Sequence, residues 1–359
     1  MSEAIYEKLI DVLDGLPNGF PRTPSGVEMK LLKRIFTAEE AELFCHLRLH
    51  GESPAEISVR AGRPAEVLVP VLERMWEKGQ ILRDPRGSEQ VYRLVPWIVG
   101  IYEFQLPFMD KELAEMCLEY IRTLGPPLFM QKPQISQVVP IETEIRAGQE
   151  ALPYERVSAI IEKGKSFAVN ECICKKQNDL TGRGCDKPRE VCLAISEHEN
   201  FFVDHPMKPR IITREETYDI LRMAEDAGLV HTTSNVREGH VFICNCCGCC
   251  CGQLIGARKG APNIINSHYF ARIDPEKCTQ CDTCIDTRCT IRAITKGEGR
   301  NVINEAKCIG CGLCVTKCPS KAITLIRKPD DQRMEPPADE MEWYRARARA
   351  RGVDISRYE

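Results

Sequence analysis

What this 359-residue sequence lacks narrows the field first. No apolar run approaches the roughly 20 residues needed to cross a bilayer. The opening Met1-Ser2-Glu3-Ala4-Ile5-Tyr6-Glu7 has neither the basic start nor the apolar core of a secretory signal. A soluble, cytoplasmic protein without a membrane span is expected. There is no GxxxxGK[ST] phosphate loop, no GxGxxG opening a helix after a strand, and no GxSxG nucleophile elbow. Nucleotide and flavin binding therefore have no support, and no catalytic residue is named. An excess of either charge is also missing. The 49 Lys plus Arg and 52 Asp plus Glu leave a formal charge of −3, which gives no global pull toward nucleic acid.

Cysteine, by contrast, is abundant: twenty in one chain. In a reducing compartment, CxxC and CC spacings read as metal binding and not as disulfides. Near the C-terminus the same ladder occurs twice, as Cys278, Cys281, Cys284, Cys289 and as Cys308, Cys311, Cys314, Cys318-Pro319. The repetition extends past the thiols. Lys277 and Lys307 precede the ladders, and Arg292-Ala293-Ile294-Thr295 answers Lys321-Ala322-Ile323-Thr324. Such a duplication argues for a pseudo-two-fold module, each half a strand, a cluster loop, a short helix and a strand.

Residues 272–327 resemble the bacterial two-cluster ferredoxins. The resemblance implies two [4Fe-4S] clusters with exchanged ligands: Cys278, Cys281, Cys284 and Cys318 for one, and Cys308, Cys311, Cys314 and Cys289 for the other. The first ladder departs from the family pattern. Four residues separate Cys284 from Cys289, and Thr290 stands where the family places proline. Zinc is the alternative ion for spaced CxxC pairs, although zinc sites seldom use a third cysteine two residues on.

Ten more thiols fall between residues 151 and 270. Cys172, Cys174, Cys185 and Cys192 make a plausible third cluster set. Cys244, Cys246, Cys247, Cys249, Cys250 and Cys251 are too dense to meet one cluster together, so a subset is expected to hold a further one. Structural zinc is the alternative here as well. Between the two groups, Thr213 and Glu216 form a capping box, Ile220, Leu221, Ala224 and Ala227 recur at helical spacing, and Gly228 ends the helix. The order ECICKK, GCDKP, capped helix, ICNCCGCCC and ferredoxin ladders resembles ferredoxin-like proteins of anaerobes that carry a cysteine-rich N-terminal extension. Lys175, Lys176, Lys187 and Arg189 lie beside these thiols in sequence and are candidates to offset cluster charge.

The first hundred residues are of another kind. Thr37 with Glu40 caps a helix expected to reach about Leu49. Ser53-Pro54-Ala55-Glu56 opens a second, and a third starts at Arg63-Pro64 and ends near Gly79. Residues 81–94 read as a hairpin turning at Asp84-Pro85-Arg86-Gly87. Residues 27–96 thus resemble a winged helix-turn-helix domain. Its charge does not favour DNA, because residues 1–110 hold 13 Lys plus Arg against 17 Asp plus Glu. Arg83, Arg86 and Arg93 on the wing are the best remaining phosphate contacts.

The expected fold class is α+β and multidomain. It comprises a winged-helix-like domain with an N-terminal helix (1–109), a connector (110–150), a cysteine-rich helical domain (151–270), a two-cluster ferredoxin domain (271–328) and a charged tail (329–359). Within the connector, a helix over about 110–124 is expected to break at Gly125-Pro126-Pro127. The expected function is single-electron relay between a donor and a partner oxidoreductase in anaerobic metabolism, as a carrier or subunit more than a stand-alone enzyme. A homodimer through the winged-helix-like domain is a further expected contact. Two alternatives stay open: a redox-responsive transcriptional regulator, and a reductase with an unusual cluster at Cys244 to Cys251.

Overall fold

A computed structural model describes residues 2–145, 151–152 and 155–359. The expected boundary at residue 150 lies outside the described residues. The chain divides into two compact units, one of Met1–Lys132, Asp204–Lys208 and Tyr344–Glu359, the other of Pro133–Val203 and Pro209–Trp343.

In the first unit the helices Val27–Ile35, Ala38–Phe44, Pro54–Ala61 and Ala65–Glu77 precede an antiparallel hairpin of β1 (Leu82–Arg86) and β2 (Glu89–Arg93). Capping explains where two of these helices start. The Thr37 and Ser53 hydroxyls accept the Glu40 and Glu56 N–H groups, and each glutamate reaches back to its cap. Glu40 does more than cap: its buried carboxylate also binds Arg74, Lys78 and Gln80, which pins the helix Ala38–Phe44 to the helix Ala65–Glu77 and the residues that follow it. Burial works to raise the Glu40 pKa, yet the hydrogen bonds led by Lys78 outweigh it and hold the group at about 2.

Two helices differ from expectation. The one capped by Thr37 stops at Phe44 and not at Leu49. Residues beyond it serve other partners: the Arg48 carbonyl accepts the Leu94 N–H, and the Leu49 N–H donates to the Tyr358 carbonyl. The helix capped by Asp110 runs on through Gly125-Pro126-Pro127 to Met130. The two prolines remove only two amide donors close to the C-terminal end, while Leu124 and Leu128 stay buried.

The C-terminal residues form a helix, Glu340–Arg351, whose arginines do not all face water. Arg347 is fully buried, donating to Asn18 Oδ1 and to the Leu128 and Gln131 carbonyls. Arg351 binds the Asp14 carboxylate and carbonyl.

The second unit corrects the expectation of a helical middle domain. Its core is a six-stranded antiparallel sheet of β3 (Ser136–Val138), β4 (Ser166–Glu171), β5 (Glu190–Ser196), β6 (Arg210–Ile212), β7 (Val230–Ser234) and β8 (Phe242–Cys246). The spatial order is β3-β7-β8-β5-β4-β6. The reason is a period of two: in β5 Val191, Leu193 and Ile195 bury one face, and in β8 Ile243 and Asn245 are buried while Cys244 and Cys246 are half-buried. The helix Arg214–Asp226 forms as expected, with its Thr213–Glu216 capping box and with Gly228 at φ +74° after it. Ile220, Leu221 and Ala224 cover the sheet.

The unit continues into β9 (Tyr269–Ile273), β10 (Ile294–Lys296), β11 (Asn301–Ile303) and β12 (Ile323–Arg327). β9 pairs with β12 and β10 with β11, both antiparallel. The short helices Cys284–Arg288 and Leu313–Thr316 follow the two cysteine loops. Among the described residues no helix is long and apolar enough to cross a membrane.

Candidate metal centres

The internal repeat reaches the backbone itself. In the loop Cys278 to Cys284 the residues at positive φ are Gln280 (+53°) and Asp282 (+59°); in Cys308 to Cys314 the matching positions are Gly310 (+59°) and Gly312 (+84°). Each loop turns left-handed between its cysteines, which lets closely spaced sulfurs converge. Gly310 has a further reason to be glycine, since a Cβ there would lie 2.2 Å from the Tyr269 carbonyl oxygen.

These loops enclose two cavities. One is lined by Cys278, Cys281, Cys284 and Cys318 together with Asn301, Ile273 and Ile323. The other is lined by Cys289, Cys308, Cys311 and Cys314 together with Arg288, Ile294 and Ile303. In both, a cysteine from one ladder faces three from the other. Backbone amides point at the sulfurs in matched pairs: Ala293 N–H to Cys289 Sγ at 3.1 Å and Ala322 N–H to Cys318 Sγ at 3.3 Å. Ala271 N–H adds a bond to Cys308 Sγ, and the buried Asn301 amide one to Cys284 Sγ at 3.6 Å. Donors of this kind stabilise electron-rich sulfur and tune its potential. Burial first, and then the neighbouring Cys308 and Cys289 sulfurs, push the Cys311 thiol up to about 12 against the pull of backbone hydrogen bonds, so this pocket holds an anionic sulfur most readily when a cation accompanies it.

The ten upstream thiols sort into two sets that sequence order does not show. Cys185, from the loop after the helix Ile173–Leu180, meets Cys247, Cys249 and Cys250, with all four Sγ atoms within 4.8 Å of one another. The other six stand as a pair and a run of four. Cys172 lies beside Cys174, Cys192 beside Cys244, and Cys246 beside both Cys244 and Cys251. Strand geometry accounts for part of this, because Cys244 and Cys246 are two residues apart on β8 and share one face. Cys172, Cys174, Cys185 and Cys192 therefore do not gather as one quartet. Of the four candidate cations, Lys175 is buried and donates to the Asn245 carbonyl at 3.3 Å. Lys187 donates to the Ala227 carbonyl, Arg189 pairs with Glu171 and Asp179, and Lys176 lies 3.9 Å from Glu171.

Features outside the sequence reading join this region to the ferredoxin loops. Gly248 N–H donates to Thr290 Oγ1 at 2.6 Å. Arg288, nearly buried, donates to the Glu225 and Asp226 carbonyls at the end of the capped helix and to the Leu313 carbonyl. The sequence signal for the first contact was the threonine in place of proline. For Arg288 there was none.

Residues 301–324 match the family model described as a 4Fe-4S binding domain. Three curated relatives fit the same picture over short stretches. An uncharacterized ferredoxin of Methanocaldococcus jannaschii is 33% identical over 89 residues, 24% of this chain and 52% of that protein. Pyruvate synthase subunit PorD of the same organism is 39% identical over 57 residues, 16% of this chain and 65% of the subunit. An uncharacterized protein of Porphyra purpurea, from the rpl9-rpl11 intergenic region, is 38% identical over 60 residues, 15% of this chain and 79% of that protein. The chain thus spans less than two thirds of the ferredoxin and of the PorD subunit. No solved structure matches. Together these support an iron–sulfur, ferredoxin-like module in the C-terminal part of the second unit, with a 4Fe-4S binding domain at residues 301–324.

Proposed function

We propose that this chain relays single electrons between a donor and a partner oxidoreductase of anaerobic metabolism, using two [4Fe-4S] clusters in its ferredoxin-like module. Cys278, Cys281, Cys284 and Cys318 would hold one, and Cys308, Cys311, Cys314 and Cys289 the other. The observation that carries the reading is the pair of cavities, each lined by three cysteines of one ladder and one of the other. A bound [4Fe-4S] core supplies a reversible one-electron couple. The chain's own part is to anchor that core through four thiolates, to aim N–H groups at the sulfurs, and to exclude water with Ile273, Ile294, Ile303 and Ile323.

Cys281 is exposed, which puts the edge of one cavity within reach of a protein partner. The similarity to a pyruvate synthase subunit makes an oxidoreductase complex the kind of partner to test. In the middle region a further cluster would draw its ligands from Cys172, Cys174, Cys192, Cys244, Cys246 and Cys251. The first unit, read as winged-helix-like, would dock a partner or a second copy. Its arginines support docking over DNA. Arg63, Arg74, Arg83, Arg86 and Arg93 are each held by a carboxylate, so few cations remain to release counterions from a polyanion.

The test is iron and acid-labile sulfide per chain on anaerobically purified protein, with EPR after dithionite reduction. About eight irons must come from the ferredoxin-like pair, and about four more from the middle set. Loss of one reduced signal in Cys289→Ser, with the other retained, is the expected outcome. Two unaffected signals would remove Cys289 from the ligand set.

A further inference from the structure

We infer that Cys185, Cys247, Cys249 and Cys250 form a tetrathiolate site for one zinc ion, separate from the iron–sulfur centres. The inference goes beyond electron transfer and does not rest on it. Its ground is sulfur spacing. Four thiolates bound to one tetrahedral ion at about 2.3 Å stand about 3.8 Å from each other. Cys250 and Cys185 sulfurs lie 3.6 Å apart, Cys185 and Cys247 sulfurs 4.0 Å apart, and every pair in the quartet is within 4.8 Å.

The two ferredoxin-like quartets calibrate that number within the same molecule. Each lines its own pocket, and neither draws its four sulfurs within 4.8 Å of one another. That wider spread is what a cubane needs, because its four cysteines bind four different irons and the core stands between them. Among the described residues, the Cys185 quartet is the one cysteine group collapsed to the dimensions of a single ion.

Its placement fits a structural ion. Cys185 sits in a loop between the helix Ile173–Leu180 and β5, with Gly182 at φ +71° and no regular structure of its own. Cys247, Cys249 and Cys250 sit in the turn between β8 and the helix Gly252–Arg258. One ion would tie that loop to that turn with four protein ligands and no open position, the mark of a closed structural site. The six thiols outside the quartet remain for iron.

The experiment measures zinc, iron and sulfide together on the full chain purified anaerobically, with zinc K-edge X-ray absorption on the same sample. About one zinc per chain, surrounded by four sulfurs at about 2.3 Å, is expected. In Cys249→Ser and Cys185→Ser the zinc should fall to a small fraction while iron and sulfide stay at the parent level. Should either variant fail to fold, the parent zinc content and its sulfur shell still decide. Overturning results are a parent protein without zinc, a shell containing nitrogen or oxygen, or loss of iron with zinc unchanged in the variants. A failure of the electron-relay proposal would show instead in the iron count and the EPR signals, with zinc unaffected.

Discussion

Thr290 Oγ1 accepts a hydrogen bond from the Gly248 backbone N–H at 2.6 Å, so the cysteine-dense turn of the middle region rests directly on the residue after Cys289. The fit is close: a Cβ on Gly248 would stand 2.2 Å from the Thr290 carbonyl oxygen. Thr290 also donates its own N–H to the Arg288 carbonyl, a bond that proline in the same place would abolish.

Thr290→Val removes only the hydroxyl acceptor and should cost about 1 kcal/mol of unfolding free energy. Gly248→Ala forces the loops apart and should cost about 1–3 kcal/mol. Denaturant unfolding of the second unit with iron content measured in parallel checks both. Equal stability of Gly248→Ala and parent would contradict the contact.

Asn301→Ala should lower the potential of one of the two ferredoxin-like centres. The buried Asn301 amide donates to Cys284 Sγ and to Asp282 Oδ1, and the sulfur bond favours the more electron-rich state. A hydrogen bond worth about 1 kcal/mol corresponds to about 40 mV for a one-electron couple. Potentiometric EPR titration should show one midpoint displaced downward by that order and the other unmoved.

The two units should respond oppositely to pH. In the first, burial raises the Glu103 carboxyl to about 7 although the Gly100 N–H donates to it. Its folded pKa exceeds its unfolded one, so its contribution is complete below about 4.5 and is lost as pH climbs to about 7, some 3 kcal/mol. In the second, burial also works to raise Glu155, but hydrogen bonds from His268 and Arg327 outweigh it and leave the pKa depressed. That contribution is present above the unfolded value and disappears on acidification. Calorimetry from pH 4 to 8 should find separate transitions moving in opposite directions, with Glu103→Gln flattening one slope and Glu155→Gln the other.

Cysteine spacing and side-chain caps were the legible parts. The cysteines that line each ferredoxin-like cavity are those the repeated ladders name, and the helix from Arg214 begins at its Thr213 cap because the signal is local. The middle region was not legible, since its thiol grouping depends on which strands adjoin. Cys192 meets Cys244 only because β5 lies beside β8, and Cys185 reaches its partners from a loop that no periodicity marks. The alternation Val191, Leu193, Ile195 spans a seven-residue strand interrupted by Cys192 and Ala194, too short an apolar run for its period alone to separate a strand from a buried helical segment. Arg347 shows another limit. Residues 329–359 read only as a charged tail, yet this arginine is buried under carbonyls supplied by residues more than two hundred positions away.

The left-handed positions in the two cysteine loops give the duplicated module a polarity. One copy turns on Gln280 and Asp282, whose side chains reach the Gly297 carbonyl and Lys296 at the surface; the other turns on glycines, one of them pressed against the Tyr269 backbone. Substitution can therefore reshape the outer copy, while the inner one has no room to change. Diversification for new partners has one open end on which to work.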